Sequence, residues 1–164
     1  MKKIIYATLL TTALTLVFGV VYYHKYNTAS PFRCAAQFEQ TSYDKTSHGG
    51  QVQVNASVTL FVSDNKNGFF SMAGTVEARG ENYNLRRNAN FSLAPNALNG
   101  VRKAVINSEK SYPVDNTPND IWVNSITPQK IGEDFYVGIK NINKNTLEIS
   151  SLSFPYLICV KQED

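Results

Sequence analysis

The sequence is poor in the residue types that usually carry catalysis. Only two histidines occur, His24 beside an uncharged N-terminal run and His48 in a glycine-flanked segment, and neither belongs to a cluster at metal-ligand spacing. The sequence also lacks a Gly-x-Ser-x-Gly nucleophile motif and a glycine-rich phosphate-binding loop. These absences argue against an enzyme, and they predict neither a cofactor nor a metal site.

Most of the chain also lacks an excess of positive charge. The formal net charge of +3 comes from Lys2, Lys3 and Lys25, because residues 26–164 contain 13 basic and 13 acidic residues. Nucleic-acid binding depends largely on neutralising phosphates with Lys and Arg. The neutral balance therefore excludes DNA or RNA as a direct partner.

Charge is absent from a run of twenty residues near the N-terminus, Ile4 to Tyr23. A helix of this length spans about 30 Å, the thickness of a bilayer's hydrocarbon core. Lys2 and Lys3 precede the run, so the positive-inside rule predicts a cytoplasmic N-terminus and export of the following residues. An uncleaved single-pass anchor is the favoured interpretation, and a signal peptide cleaved after Ala29 is the alternative.

These features predict two regions: a cytoplasmic tip and transmembrane anchor over residues 1–25, and one exported domain over residues 26–164. The two cysteines, Cys34 and Cys159, lie near the two ends of the exported region. In an oxidising compartment such a pair predicts a disulfide, which requires Cα atoms within about 7 Å of each other. Two free buried thiols are the alternative.

Apolar residues recur with a period of two along the exported region, as in half-buried strands. The alternation is most regular in residues 51–62 and 82–93. Including less regular segments, there are nine candidate strands for a barrel of about eight: 33–42, 51–62, 68–78, 82–93, 101–107, 121–126, 135–140, 146–151 and 156–161. Short turns join most of them, which predicts an all-β domain, an antiparallel lipocalin-like barrel whose first and last strands meet at the disulfide.

A barrel of this size holds either a solid core or one small ligand, and periodicity does not separate the two. Trp122, the only tryptophan, either caps the mouth or packs inside. The apolar residues predicted to line a cavity lie on three strands: Val52, Val54, Val58, Leu60, Tyr83, Leu85, Phe91, Phe135 and Val137.

One charged residue, Arg87, interrupts the apolar face of the strand over residues 82–93. A buried arginine without a partner is unfavourable, so either a carboxylate such as Glu77 or an anionic ligand should contact it. We therefore predict Arg87 as a ligand-binding residue for an anionic, amphipathic molecule.

The N-terminal run that begins Met1-Lys2-Lys3-Ile4-Ile5-Tyr6, the early Cys34 and the closing Pro155-Tyr156-Leu157-Ile158-Cys159 together resemble the FidL-like membrane proteins of enteric bacteria. The resemblance is one of overall layout. It implies an inner-membrane protein with a periplasmic C-terminal domain.

The resemblance also implies a function in signal transduction and virulence regulation. FidL-like proteins are similar in role to ToxS, which accompanies a ToxR-like transcription regulator with one membrane span and a periplasmic domain. The expected partner is therefore the periplasmic domain of such a regulator, and the expected ligand is a bile-salt-like molecule. A stand-alone periplasmic carrier or sensor of a small apolar ligand is the alternative.

Overall fold

The chain divides into two compact units, Met1–Ser30 and Pro31–Asp164. The structure is a computed structural model, and it describes residues 2–27, 31–43, 50–63, 66–95, 100–127, 129–152 and 155–162. The predicted boundary between residues 25 and 26 stays a prediction, since the first described residue of the second unit is Pro31.

The first unit contains one helix, α1 (Lys2–Asn27). The Thr15 hydroxyl donates to the carbonyl oxygens of Thr11 and Thr12, at 3.2 and 2.9 Å, so this polar side chain is satisfied within the helix. Within the described residues, no helix reaches the length and mean hydropathy required for a membrane span. The helix is confirmed, and its role as an anchor stays a prediction.

The second unit is a closed antiparallel barrel in which each strand pairs with the next along the chain. In β2 all six even-numbered residues are buried, as alternation predicts for a strand with one face toward a core. The eight strands are β1 (Phe32–Tyr43), β2 (Gln51–Val62), β3 (Asn67–Ala78), β4 (Glu81–Leu93), β5 (Val101–Ser111), β6 (Asp134–Asn141), β7 (Thr146–Ser150) and β8 (Pro155–Lys161). The predicted eight-stranded barrel is thus confirmed.

The predicted strand over residues 121–126 is wrong. A short helix, α2 (Asn119–Ile121), leads directly into a single π-helical turn, Trp122–Ile126. A short apolar run such as Ile121-Trp122-Val123 fits a buried strand or a buried helix equally well.

Residues 112–127, here called the plug, run from β5 across one end of the barrel. Their first half lies along β4, where the Tyr112 and Asn116 amides donate to the carbonyl oxygens of Arg86 and Asn84. The second half carries Trp122, which is fully buried, into the barrel. The plug therefore lies along β4 and contributes Trp122 to the core of the barrel.

The seam between β1 and β8 is short. Only two residue pairs join these strands, Cys34 with Lys161 and Ala35 with Val160. The disulfide Cys34–Cys159 reinforces this end of the seam, with 5.5 Å between the Cα atoms, and confirms the predicted bridge. Among the described residues, β1 has no β8 partner over residues 36–43, a stretch here called the unpaired edge.

The interior contains two apolar clusters. The first surrounds the disulfide and includes Leu60, Phe91 and Val137. The second surrounds Trp122 and joins the plug to β2, β3 and β4. The disulfide end and the plugged end of the barrel are thus packed separately.

Candidate functional site: an apolar cavity beside a buried arginine

A cavity of about 840 Å³ lies inside the barrel. This is within the size range of small-molecule sites, about 300–1,000 Å³. Its deep wall is formed mainly by aliphatic and aromatic side chains from β2 to β8: Val58, Leu60, Phe70, Met72, Phe91, Leu93, Ala104, Ile106, Phe135, Val137, Ile139, Ile149 and Leu157. Such a wall suits an apolar molecule or the apolar part of an amphiphile.

Polar side chains are concentrated where the cavity meets the unpaired edge and the end of the plug. The unpaired edge contributes Gln37, Phe38, Glu39, Gln40, Ser42 and Tyr43, and the plug contributes Asn124, Ser125, Ile126 and Thr127. Gln129 also lies here, and its side-chain amide donates to the Tyr156 hydroxyl at 3.0 Å. The site therefore has an apolar interior and a polar rim, here called the mouth.

Five of the predicted ligand-binding residues line this cavity, namely Val58, Leu60, Phe91, Phe135 and Val137. Four others do not. Val52, Val54 and Leu85 are buried in the cluster around Trp122, and Tyr83 packs against that cluster. The two alternatives for the interior thus describe two parts of one barrel, a solid part around Trp122 and a hollow part beside it.

Several lining residues were missed by sequence reasoning, for two different reasons. Phe70, Met72 and Leu157 lie in predicted strands and face inward, so alternation alone could have identified them. Ser125 and Thr127 belong to the plug, whose helical geometry was not predicted. Trp122 packs inside the barrel rather than capping the mouth, and its Nε1 donates to Glu109 at 3.0 Å.

Arg87 is not among the described residues that line the cavity, so its predicted role in ligand binding stays a prediction. Its guanidinium contacts Asp115 through Nε–Oδ2 and Nη2–Oδ1, at 3.2 and 3.3 Å. It also donates to the Asn119 side chain at 3.1 Å and the Thr117 carbonyl at 2.6 Å. The Arg87 guanidinium also lies over the Trp122 ring, with 5.0 Å between Cζ and the ring centroid.

The expectation that a carboxylate contacts Arg87 is confirmed, but the carboxylate belongs to Asp115 rather than to Glu77. The two side chains are 9% and 1% exposed. Asp115 also accepts hydrogen bonds from the backbone amides of Arg86 and Thr117. Each side-chain nitrogen of Arg87 and each carboxylate oxygen of Asp115 has a hydrogen bond, and the pair fixes the plug to β4.

A second ion pair holds the plug at its surface. The Arg79 guanidinium contacts the Asp120 carboxylate and, by its hydrogen bond, lowers the pKa of Asp120 below its ordinary value. Asp120 is therefore ionised throughout the neutral range. Because this pair is partly exposed, it orients α2 more than it stabilises the fold.

In the part of the chain that the structure describes, no group of three or more His, Cys, Asp or Glu side chains could hold a metal ion. The expectation that this protein is not an enzyme stays a prediction.

Comparison with known proteins identifies the family. A family profile described as "FidL-like putative membrane protein" matches residues 74–159, more than half of the 164-residue chain. The match runs from β3 to Cys159 and so includes the plug, Arg87 and much of the cavity wall. No curated protein and no solved structure matches the chain significantly. The chain belongs to the FidL-like membrane protein family.

Proposed function

We propose that this protein is the accessory component of a ToxR-like membrane transcription regulator, and that its barrel carries a small, largely apolar ligand next to the surface that meets the regulator. One observation carries the proposal. The unpaired edge of β1 forms part of the cavity mouth and, among the described residues, has no partner strand on one side.

The free side suits a partner strand. A strand edge without a neighbour presents unpaired N–H and C=O groups, and an extended segment of another protein can pair with them. The other side of β1 is fully paired with β2, from Phe32 to Tyr43, so the edge is held in extended conformation. We propose that an exported strand of the regulator pairs with this edge.

The ligand and the partner strand would then both contact the unpaired edge of β1. Phe38, Gln40 and Ser42 face the cavity, whereas Thr41 between them is exposed. A ligand that favours the paired geometry of this strand stabilises the complex, and the partner in turn strengthens ligand binding by the same factor.

The proposal includes a single inner-membrane span with the N-terminus in the cytoplasm and the barrel in the periplasm. Eight large apolar residues of α1 between Leu14 and Tyr23 are 57–70% exposed. A lipid environment would remove this apolar surface from water. Together with the flanking Lys2 and Lys3, this supports α1 as the anchor.

The bile-salt-like ligand expected from the family resemblance is supported only in part. The volume and the aliphatic wall accommodate an apolar body of steroid size. The anionic group finds no support in Arg87, which is bonded to Asp115.

Co-purification tests the pairing. The full-length chain is co-expressed with a full-length ToxR-like regulator, with a photo-crosslinking amino acid at Thr41 on the unpaired edge or, as a matched control, at Thr75. Both threonines are exposed, but Thr75 lies on β3 between two paired strands. We expect co-purification, with crosslinks from position 41 and not from position 75. Failure to co-purify, or crosslinks from position 75 alone, would contradict the proposal.

The cavity by itself favours the second candidate function, a stand-alone carrier or sensor of an apolar ligand. Ligand binding that is unaltered by any regulator, together with no co-purification, would support this alternative.

A further inference from the structure

We infer that the cavity takes an uncharged amphiphile, one with an apolar body and a hydroxyl or similar neutral polar group, and that Ser42 and Ser125 bind this polar group at the mouth. The inference rests on the ligand-binding part of the proposed function and names the chemical class of the ligand.

The first observation is two buried hydroxyl groups without partners. The Oγ atoms of Ser42 and Ser125 are inaccessible and have no hydrogen-bond partner in the described protein. Both residues line the cavity, and Ser125 as a whole is only 6% exposed. Buried hydroxyl groups are nearly always paired, because leaving one unpaired is unfavourable. Rotation about χ1 would turn either hydroxyl group toward the cavity, where a polar group of a ligand would supply the missing partner.

The two serines lie on elements that are already connected. Ser42 is on the unpaired edge of β1, and Ser125 is in the π-helical turn of the plug. The Gln40 side-chain amide donates to the Ser125 carbonyl oxygen at 3.2 Å, which ties the two elements together. The π-turn is itself closed by the Thr127 amide, which donates to the Trp122 carbonyl at 2.8 Å. Isolated π-turns are rare and often occur at functional sites.

The charges around the cavity indicate that the polar group is neutral. No Lys, Arg or His is found among the described lining residues, and Glu39 is the one carboxylate among them. The nearby buried cation, Arg87, is already bonded to Asp115, Asn119 and Thr117. An anionic group at the mouth would therefore find no counter-ion among the described residues, and its desolvation would be unfavourable. A hydroxyl group both donates and accepts, so it can pair with a serine in either sense.

A pair of matched photoreactive probes tests the inference on the full-length chain in lipid nanodiscs. One probe is a dodecanol with a diazirine in its chain, and the other is the corresponding alkyl sulfate, which stays ionised. Labelled positions are mapped by mass spectrometry, so that labelling of the cavity wall is separated from labelling of α1. We expect the alcohol to label the wall and the sulfate to label it at least tenfold less.

Alanine variants test the serines. We expect Ser125→Ala and Ser42→Ala each to reduce labelling of the wall by the alcohol about 3- to 10-fold, as expected for loss of one neutral hydrogen bond. The control is Ser108→Ala, which removes an exposed hydroxyl that accepts from Asn90 on the outer face of the barrel. It should leave labelling unchanged. Without probe, Ser125→Ala should not lower the melting temperature, because its hydroxyl has no partner among the described residues.

Equal labelling by the two probes, or no effect of either serine variant, would overturn the inference while leaving the cavity as a ligand site. A lowered melting temperature of probe-free Ser125→Ala would also overturn it. If neither probe labels the wall, the inference and the ligand-binding part of the proposed function both fail. Pairing with a regulator is tested separately by co-purification.

Discussion

Arg87 and Asp115 form a buried ion pair, with 3.2 Å between Nε and Oδ2, that joins β4 to the plug. The arginine that interrupts an apolar strand face is therefore a structural residue. Its position also explains why the plug keeps a defined place although it contains little regular structure.

We predict that Asp115→Ala destabilises the protein by about 3–5 kcal/mol, because it leaves the Arg87 charge buried and unpaired. Arg87→Ala should destabilise the protein by a similar amount, because it leaves the Asp115 carboxylate buried and unpaired. The free energy of unfolding, measured by urea denaturation of the full-length chain, checks this. The control is Arg86→Ala, one residue along β4, where the side chain is exposed and stacks on Tyr112 at 5.3 Å. Arg86→Ala should lower the free energy of unfolding by no more than about 1 kcal/mol.

A second prediction separates Arg87 from ligand binding. Under conditions in which Arg87→Ala remains folded, its affinity for an uncharged apolar probe should equal that of the wild type, since Arg87 is not part of the cavity wall. Fluorescence titration with N-phenyl-1-naphthylamine measures this. A tenfold loss of affinity in the folded variant would show that Arg87 does take part in ligand binding.

Filling the cavity should block the ligand without unfolding the barrel. Ala104 faces the cavity from β5, so Ala104→Leu should lower the affinity for the same probe by at least tenfold and change stability by less than about 1.5 kcal/mol. The matched control is Val105→Leu, the next residue along β5, whose side chain is not part of the cavity wall. Equal effects of the two substitutions would mean that the probe binds elsewhere.

The disulfide prediction concerns stability. The bridge closes a loop between residues 125 positions apart, and Cys34→Ser should lower the free energy of unfolding by about 2–5 kcal/mol. Reducing agent should destabilise the wild type by a comparable amount. It should have no effect on a variant with both Cys34→Ser and Cys159→Ser.

Membrane topology is tested with a reporter enzyme that is active only outside the cytoplasm, fused after Asp164. We expect activity, because Lys2 and Lys3 favour a cytoplasmic N-terminus. Mature protein beginning near Ser30 would show instead that α1 is removed as a signal peptide.

The alternation of apolar residues predicted the barrel, and the positions of the two cysteines predicted the disulfide. The plug and its ion pair depend on contacts between residues distant in sequence, which no local pattern shows. In β2 the alternation of Val52 to Val62 reports burial directly, because neighbouring residues on a strand face opposite sides. Asp115, by contrast, lies 28 residues from Arg87 in an irregular segment, so no periodicity connects them. The candidate site divides in the same way. Val58 and Leu60 were identified by alternation, but Ser125 depends on a π-turn that propensity does not reveal.

The position of Cys34–Cys159 has a further consequence for maturation. The bridge lies at the end of the seam where two residue pairs also join β1 to β8, so it covalently links the part of the seam that these pairs already hold. Oxidation of the two thiols thus adds a covalent link to the short seam between β1 and β8. In a reducing compartment the disulfide would be absent, and among the described residues the two residue pairs alone would join β1 to β8. If the domain is exported as proposed, this covalent closure of the seam would form only after the chain reaches an oxidising compartment.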